Sequence, residues 1–302
     1  APPLNNMTDG TATAADLPLL QDVTIVIVTF NSAHCLPELG RLLASCPHIT
    51  VVDNGSDDGC VQAVGQHLPN AKIIGLLNNL GFGAANNRAL AQVQTPFALL
   101  LNPDCEITPQ AIAQLLNTAH QWPQAAMVAP QLLQAKGTPE INYRWPHLMW
   151  HSRGPAVTDG PACVGFVCGA AMLLRMSAFG GQFFDERFFL YYEDDDLCTR
   201  LFQNRQAMII DPHVTATHRS RGSVRGQSPL RSEYIRGYHH AQSKLIYARK
   251  YQSLAVARQQ HHKLLWQTAL SLFVRVLVPS PRHVARMIGR MAGLLKFRVA
   301  NA

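Results

Sequence analysis

Val23-Thr24-Ile25-Val26-Ile27-Val28-Thr29 (V-T-I-V-I-V-T) is a run dominated by β-branched residues, and its reading decides the fold. Such side chains favour extended backbone, and the lack of a strict polar–apolar alternation means that both faces are covered, as in a parallel sheet flanked by helices. The run stops at Phe30-Asn31-Ser32, and apolar residues from Leu36 to Cys46 then recur at helical spacing. The unit repeats. Ile49 to Val52 reads as a strand, Asp53-Asn54-Gly55-Ser56-Asp57-Asp58-Gly59 as its turn, and residues 60–68 as a helix. Lys72 to Leu76 leads through Asn78-Asn79-Leu80-Gly81-Phe82-Gly83 into a helix over 84–92, and Phe97 to Leu101 leads through Asn102-Pro103-Asp104 into one over 109–120.

Strands alternating with helices predict an open α/β sheet with right-handed crossovers, in which ligands sit at the carboxyl ends of the strands. Every polar cluster just named lies at such an end. From 123 to 162 the pattern weakens, and a long loop over the site is expected. Order returns with a strand over 165–174, the aromatic segment Phe183 to Tyr192, the acidic run Glu193-Asp194-Asp195-Asp196 and a helix over 197–204. Strands over 207–210 and 214–218 then lead into a basic region.

The chain has 302 residues, 47% of them hydrophobic and 15% charged. That apolar fraction excludes disorder as the main state, and no uninterrupted apolar stretch reaches the ~18 residues of a spanning helix. Charge is divided unevenly: residues 1–218 hold 10 Lys+Arg against 18 Asp+Glu, whereas residues 219–302 hold 16 against 1. An acidic body suits a site built from carboxylates, and a basic tail suits phosphate, on nucleic acid, a lipid head group or a bilayer surface. The 7 cysteines include no C-x-x-C pair, which argues against a disulfide framework or structural zinc and fits a reducing compartment. Residues 1–21 lack the basic start and apolar run of a signal peptide and are expected to be a disordered lead-in.

Three clusters carry candidate chemistry. Asp53 ends a buried strand, where a carboxylate needs compensating hydrogen bonds; a ligand N–H is one partner, and capping of the next helix is the alternative. Asp104 projects at the sheet edge, where a hard divalent cation would bridge it to a diphosphate, unless Asn102-Pro103-Asp104 is only a turn. Four adjacent carboxylates at Glu193 to Asp196 repel one another and raise some of their proton affinities, and their aromatic flank argues against a plain solvated helix start. His218, 24 residues after Asp194, reads as structural when taken alone.

In order, T-F-N (29–31), V-D-N-G-S-D-D-G (52–59), N-x-G-F-G-x-x-N-N (79–87), L-N-P-D (101–104), E-D-D-D-L (193–197) and His218 resemble the family-2 inverting glycosyltransferases of GT-A fold. The similarity is greatest to bacterial rhamnosyltransferase-like members that build cell-surface polysaccharides, and it covers residues 22–225. It implies a GT-A mixed sheet flanked by helices over 22–225, followed by a basic helical extension over 226–302. It implies that Thr29, Asn31 and Asp53 hold the nucleotide, that Gly81 permits close backbone approach, and that Asn87, Arg88 and Asn102 help hold the nucleotide-sugar. Asp104 corresponds to the last acid of the family's D-x-D motif, whose first acid is here Asn102, and His218 is the implied second ligand of a Mg or Mn ion. Asp194 is the implied general base and Glu193 the residue that orients the base or the acceptor.

The donor implied is dTDP-rhamnose, with UDP-hexose or UDP-N-acetylhexosamine as the alternative. Residues 230–258 read as helix, Leu264 to Val278 is an apolar 15-residue stretch interrupted by Gln267 and Arg275, and Val284 to Val299 mixes apolar and basic residues. Basic amphipathic helices of this kind lie in a membrane interface; the other reading is a helical cap on the catalytic domain. A peripheral enzyme on the inner face of the cytoplasmic membrane would meet a polyprenyl-diphosphate-linked glycan acceptor there. No nucleic-acid motif accompanies the charge, so no nucleic-acid partner is expected, and self-association as a homo-oligomer stays open. A non-catalytic nucleotide-sugar-binding subunit is disfavoured by the retained acids, and an NAD-dependent Rossmann enzyme by the missing G-x-G-x-x-G.

Overall fold

A computed structural model of the chain describes residues 16–145, 157–219, 224, 228–277 and 280–298. Most of the expected lead-in therefore lies outside the described residues, as does the basic stretch after Arg219 apart from Val224. Where the lead-in is described it is not disordered: α1 (Leu17–Leu20) is a single helical turn whose Leu20 is fully buried in the core. The chain divides into two units. The first comprises Ala1–Asn79, Ala85–Phe183 and Leu197–Arg225, and the second Leu80–Ala84, Phe184–Asp196 and Gly226–Ala302.

The first unit is built on β1 (Val23–Thr29), β2 (Ile49–Asp53), β3 (Lys72–Gly75), β4 (Phe97–Leu101), β5 (Cys105–Glu106), β6 (Ala125–Leu133), β8 (Ala162–Val164), β10 (Ala171–Arg175) and β11 (Ala207–His218). These form one sheet in the order β3-β2-β1-β4-β10-β6-β11-β5, with β8 also on β11. β7 (Tyr143–Arg144) and β9 (Phe166–Val167) form a separate pair. β1 pairs in parallel with β2 and β4, Thr29 opposite Asp53 and Ile27 opposite Leu101, so three carboxyl ends share one edge. The chain order reverses at β1, the arrangement that opens a ligand crevice beyond the strand ends. β10 runs antiparallel to β4 and β6, and β11 parallel to β6, which brings His218 at the end of β11 to that same edge.

The core explains the opening run: Ile25, Ile27, Val51, Leu99 and Leu101 pack in one apolar cluster with Leu39 and Leu43 of α2 (Leu36–Leu43) and with Ile112, Leu115 and Leu116 of α5 (Pro109–Gln121). Each such side chain contributes roughly 1.5–3 kcal/mol through burial. α5 starts where its sequence dictates, Thr108 Oγ1 accepting from Ala111 N at 3.2 Å with Pro109 in the first turn. α3 (Cys60–His67) follows the left-handed Gly59.

The expected long loop over 123–162 is corrected at its start, because β6 is a buried central strand. Its sequence, A-A-M-V-A-P-Q-L-L, is poor in strand-favouring residues and contains a proline. Pro130 is tolerated because the β10 ladder on β6 involves only Met127 and Val128, and because Pro130 faces Asp211 where β11 shifts register. That irregularity also joins the two short strands expected over 207–218 into one. Part of the loop expectation, residues 146–156, lies outside the described residues.

The second unit contains α7 (Pro229–Tyr251), α8 (Leu254–Leu277) and α9 (Pro281–Lys296). The single helix expected over 230–258 breaks at Gln252-Ser253, where the Ser253 hydroxyl accepts from Val256 N at 3.1 Å and restarts the helix. Ala241, Leu245, Leu264 and Leu294 form its core, and Phe188 packs with Ile246 and Tyr247. α4 (Phe82–Leu90) and α6 (Glu193–Gln203) each begin in this unit and continue in the first.

Candidate active site

At the ends of β1 and β2, Thr29, Asn31 and Asp53 are knitted together through Ser56. Asp53 is buried, and its carboxylate accepts from Thr29 Oγ1 (3.1 Å), Ser56 Oγ (2.5 Å) and Ser56 N (3.1 Å). Asn31, held at φ 52°, donates its N–H to Ser56 Oγ (3.0 Å), and its side-chain oxygen accepts from Asp57 N (2.9 Å). Turn closure at Asp53 is thus a fact of the structure. A carboxylate offers roughly four acceptor positions, so one remains for a ligand donor. Asn87 is half-buried and Arg88 exposed on α4, in the part of that helix belonging to the first unit.

Asp104 and His218 are far apart in sequence and meet through strand pairing. β5 lies antiparallel to the end of β11 with His218 opposite Cys105, and the Arg219 N–H donates to Asp104 O at 2.9 Å. His218 Nε2 consequently lies 3.8 Å from Asp104 Oδ1, both side chains being largely buried. The other ring nitrogen, Nδ1, lies 3.4 Å from Glu140 Oε2. Glu140 is fixed in turn, its N–H donating to Leu132 O (2.8 Å) and its carbonyl accepting from Gln131 Nε2 (2.7 Å). A carboxylate and an imidazole 3.8 Å apart suit two ligands each ~2.1 Å from one divalent ion. A carboxylate on Nδ1 would hold the proton there and keep Nε2 as a lone-pair donor. Asn102 is half-buried and shapes the turn, donating its N–H to Ala170 O (2.9 Å) and accepting from Cys105 N (3.0 Å). Among the described residues no cluster of three His, Cys, Asp or Glu side chains has a metal-binding arrangement.

In the second unit the G-F-G segment lies against the acidic run. Gly81 has φ +89°, and a Cβ there would collide with the Phe189 carbonyl, to which Phe82 N donates at 3.1 Å. The close approach at Gly81 is thus to the protein's own backbone. A Cβ on Gly83 would lie 2.9 Å from Phe184 Cβ and 3.7 Å from Glu193 Cβ. Helix α6 begins at Glu193, four residues earlier than its apolar spacing indicates, with all four acids in its first turn. Glu193 is buried and its Oε2 has no hydrogen-bond partner; burial, then the neighbouring Asp194 and Asp195, push its carboxyl well above the usual range. Asp194 is half-buried, and its Oδ1 accepts from Asp195 N at 2.9 Å. Asp196 has a structural partner set: fully buried, it accepts from Lys250 Nζ (2.5 Å) and Tyr251 Oη (2.7 Å).

Sequence reasoning singled out neither Ser56, Glu140 nor Lys250. Ser56 was legible as part of D-N-G-S, but Glu140 stands in a stretch without periodicity and Lys250 is one of many basic residues in the tail.

The chain matches the family described as Glycosyl transferase family 2 over residues 24–180. It is 30% identical over 243 residues to an N-acetylglucosaminyl-diphospho-decaprenol L-rhamnosyltransferase of Mycobacterium tuberculosis, covering 68% of this chain and 78% of that protein. It is 27% identical over 193 residues to a low-salt glycan biosynthesis hexosyltransferase of Haloferax volcanii, covering 60% and 62%. Among solved structures it resembles a Pyrobaculum calidifontis mannosyltransferase in complex with GDP-Man and Mn2+, with TM-score 0.50, 14% identity and coverage of 91% of this chain and 85% of that one. It also resembles GalNAc-T7 with UDP, GalNAc and Mn2+, with TM-score 0.51, 14% identity and coverage of 74% and 50%. The fold is GT-A, and the chain belongs to glycosyltransferase family 2.

Proposed function

We propose that the protein transfers rhamnose from dTDP-rhamnose to a polyprenyl-diphosphate-linked saccharide, with inversion at the anomeric carbon. The relative that acts on a lipid-linked N-acetylglucosamine supports the sugar and the acceptor class. The observation that carries the donor side is the Asp104–His218 pair at the sheet edge that also bears Asp53.

Thr29, Asn31 and Asp53 bind the nucleotide, Asp53 accepting from the pyrimidine N–H, and Asn87, Arg88 and Asn102 contribute to holding the donor. Asp104 and His218 would hold a Mg or Mn ion, which supplies positive charge to the departing diphosphate when bound. Asp194 removes the proton of the acceptor hydroxyl as that oxygen attacks the anomeric carbon. The new bond forms on the face opposite the bond to the diphosphate, which breaks with its electron pair, so one base suffices. Glu193, whose burial favours the protonated carboxyl, donates a hydrogen bond and orients Asp194 or the acceptor rather than acting as the base.

No helix among the described residues is long and apolar enough to cross a membrane. α8 exposes Trp266, Leu270, Phe273 and Val274 at helical spacing, Trp266 at 79% and Phe273 at 70% exposure, with Lys263 also exposed one turn before Trp266. An apolar stripe with neighbouring cations suits an anionic bilayer and supports a peripheral position at the inner face of the membrane, where the proposed acceptor would be met. The test is to incubate purified protein, Mn and a polyprenyl-diphosphate N-acetylglucosamine with dTDP-rhamnose or with UDP-hexoses. A rhamnosylated product from dTDP-rhamnose alone is expected; product only from a UDP-sugar rejects the donor assignment.

A further inference from the structure

Helices α7 and α9 touch backbone to backbone. A Cβ on Gly237 would collide with the Arg286 carbonyl, one on Gly289 with the Tyr234 carbonyl, and one on Gly293 would sit 2.5 Å from the Tyr238 carbonyl. This contact gathers basic side chains. His240 of α7 lies within electrostatic reach of Lys244 on the same helix and of Arg286 and Arg290 of α9, one turn apart, and Arg290 lies within reach of both Lys244 and Arg286. Burial, then Arg286, lowers the Arg290 pKa, and burial, then Arg290 and Lys263, lowers that of Lys244. Burial, then Arg286, Arg290 and Lys244, brings His240 down to about 4.

Among the described residues one carboxylate stands near this charge. Glu233 is the single acid of residues 219–302, and its carboxylate lies 3.1 Å from Arg236 and 3.9 Å from Arg286. Arg290 Nε is buried with no hydrogen-bond partner. The surplus is local, since Lys250 on the same α7 faces Asp185 (2.7 Å) and Asp196 (2.5 Å). Beside the cluster stand Tyr191 and Tyr192, whose rings lie 5.4 and 5.6 Å from that of His240. Both hold left-handed backbone, at φ 69° and 67°, a conformation that bulky residues adopt only under constraint, and they directly precede Glu193-Asp194.

We propose that Lys244, Arg286 and Arg290, with His240 beside them, form the binding site for the diphosphate of the polyprenyl-linked acceptor. Repelling cations with a buried, unsatisfied guanidinium donor are relieved by a dianionic group, and arginine forks match phosphate oxygens. The identity of the ligand rests on the acceptor proposed above. The same helical unit carries the α8 apolar stripe, so one unit would serve both the diphosphate and the prenyl chain.

The test is equilibrium binding of farnesyl diphosphate, farnesol and inorganic pyrophosphate to the full chain and to Arg290→Gln, Arg286→Gln and Lys244→Gln. Each substitution is expected to weaken farnesyl diphosphate about 10- to 100-fold, the loss of one charge-assisted hydrogen bond, while dTDP binding stays unchanged. Arg286→Lys, which keeps the charge, should lose less, and it reads the site even where a glutamine variant fails to fold. Farnesyl diphosphate binding that is insensitive to all these changes overturns the proposal. So does equal competition by phosphatidylglycerol vesicles, which would mark a general head-group site. Arginine-dependent binding without any rhamnosyl transfer would leave this site standing and reject the function above; transfer with arginine-independent binding would do the reverse.

Discussion

His218 Nε2 lies 3.8 Å from Asp104 Oδ1 because β5 pairs with the end of β11, and Glu140 stands 3.4 Å from the opposite ring nitrogen. Removing an outer carboxylate of this kind costs ~10–100-fold in metal affinity. Glu140→Gln is therefore expected to shift the Mn concentration that stabilises the dTDP-bound protein by about that factor, and His218→Ala to abolish the Mn effect. Thermal unfolding with graded Mn reads both, and stabilisation of His218→Ala by Mn equal to that of the parent would exclude His218 as a ligand.

Ser56 links Asp53 to Asn31 through bonds of 2.5 and 3.0 Å. Ser56→Ala leaves a buried carboxylate short of a donor, at a cost of ~1–3 kcal/mol. A lower unfolding midpoint together with weaker dTDP binding is expected; loss of stability with dTDP affinity intact would confine this network to turn closure.

Glu193 binds its proton more tightly folded than unfolded, since burial and the adjacent acids raise its carboxyl above the ordinary 4.5. The folded state then holds the extra proton, so this residue's contribution to stability falls as pH rises from about 4.5 toward the raised native value. Glu193→Gln should accordingly be more stable than the parent at pH 8 and indistinguishable at pH 4, as read by urea unfolding at both pH values.

Lys250 joins Asp185 and Asp196. Lys250→Met strands the fully buried Asp196 and is expected to cost ~3–5 kcal/mol at neutral pH. Burial opposes ionisation of Asp185, but Arg187 and Lys250 outweigh it and hold its carboxyl well below the usual range. That stabilisation is complete above ~4 and is lost as pH falls toward the depressed native value. The penalty of Lys250→Met should therefore shrink on acidification below ~4; a pH-independent difference would mean that packing, not charge, is what the lysine supplies.

The parallel strands and their terminal clusters were legible because V-T-I-V-I-V-T and F-A-L-L-L carry their burial in composition, and because polar turns mark where each strand ends. β6 was not legible: its alanines and Pro130 deny it a local strand signal, and only neighbours distant in sequence define it. Glu140 and Ser56 matter through hydrogen bonds that no periodicity announces. The acidic run was conspicuous, yet its division of labour was not. Glu193 is buried with its Oε2 lacking a hydrogen-bond partner, whereas Asp196 is held by Lys250, more than fifty residues later.

The most direct measurement is rhamnosyl transfer from dTDP-rhamnose to a polyprenyl-diphosphate N-acetylglucosamine by the parent protein and by Asp194→Asn, with dTDP binding recorded on both. A fall in turnover of ~10²–10⁴-fold with nucleotide binding preserved is the predicted result. Undiminished transfer by Asp194→Asn would contradict the assignment of Asp194 as the base, and absence of transfer by the parent protein would contradict the reaction proposed for this chain.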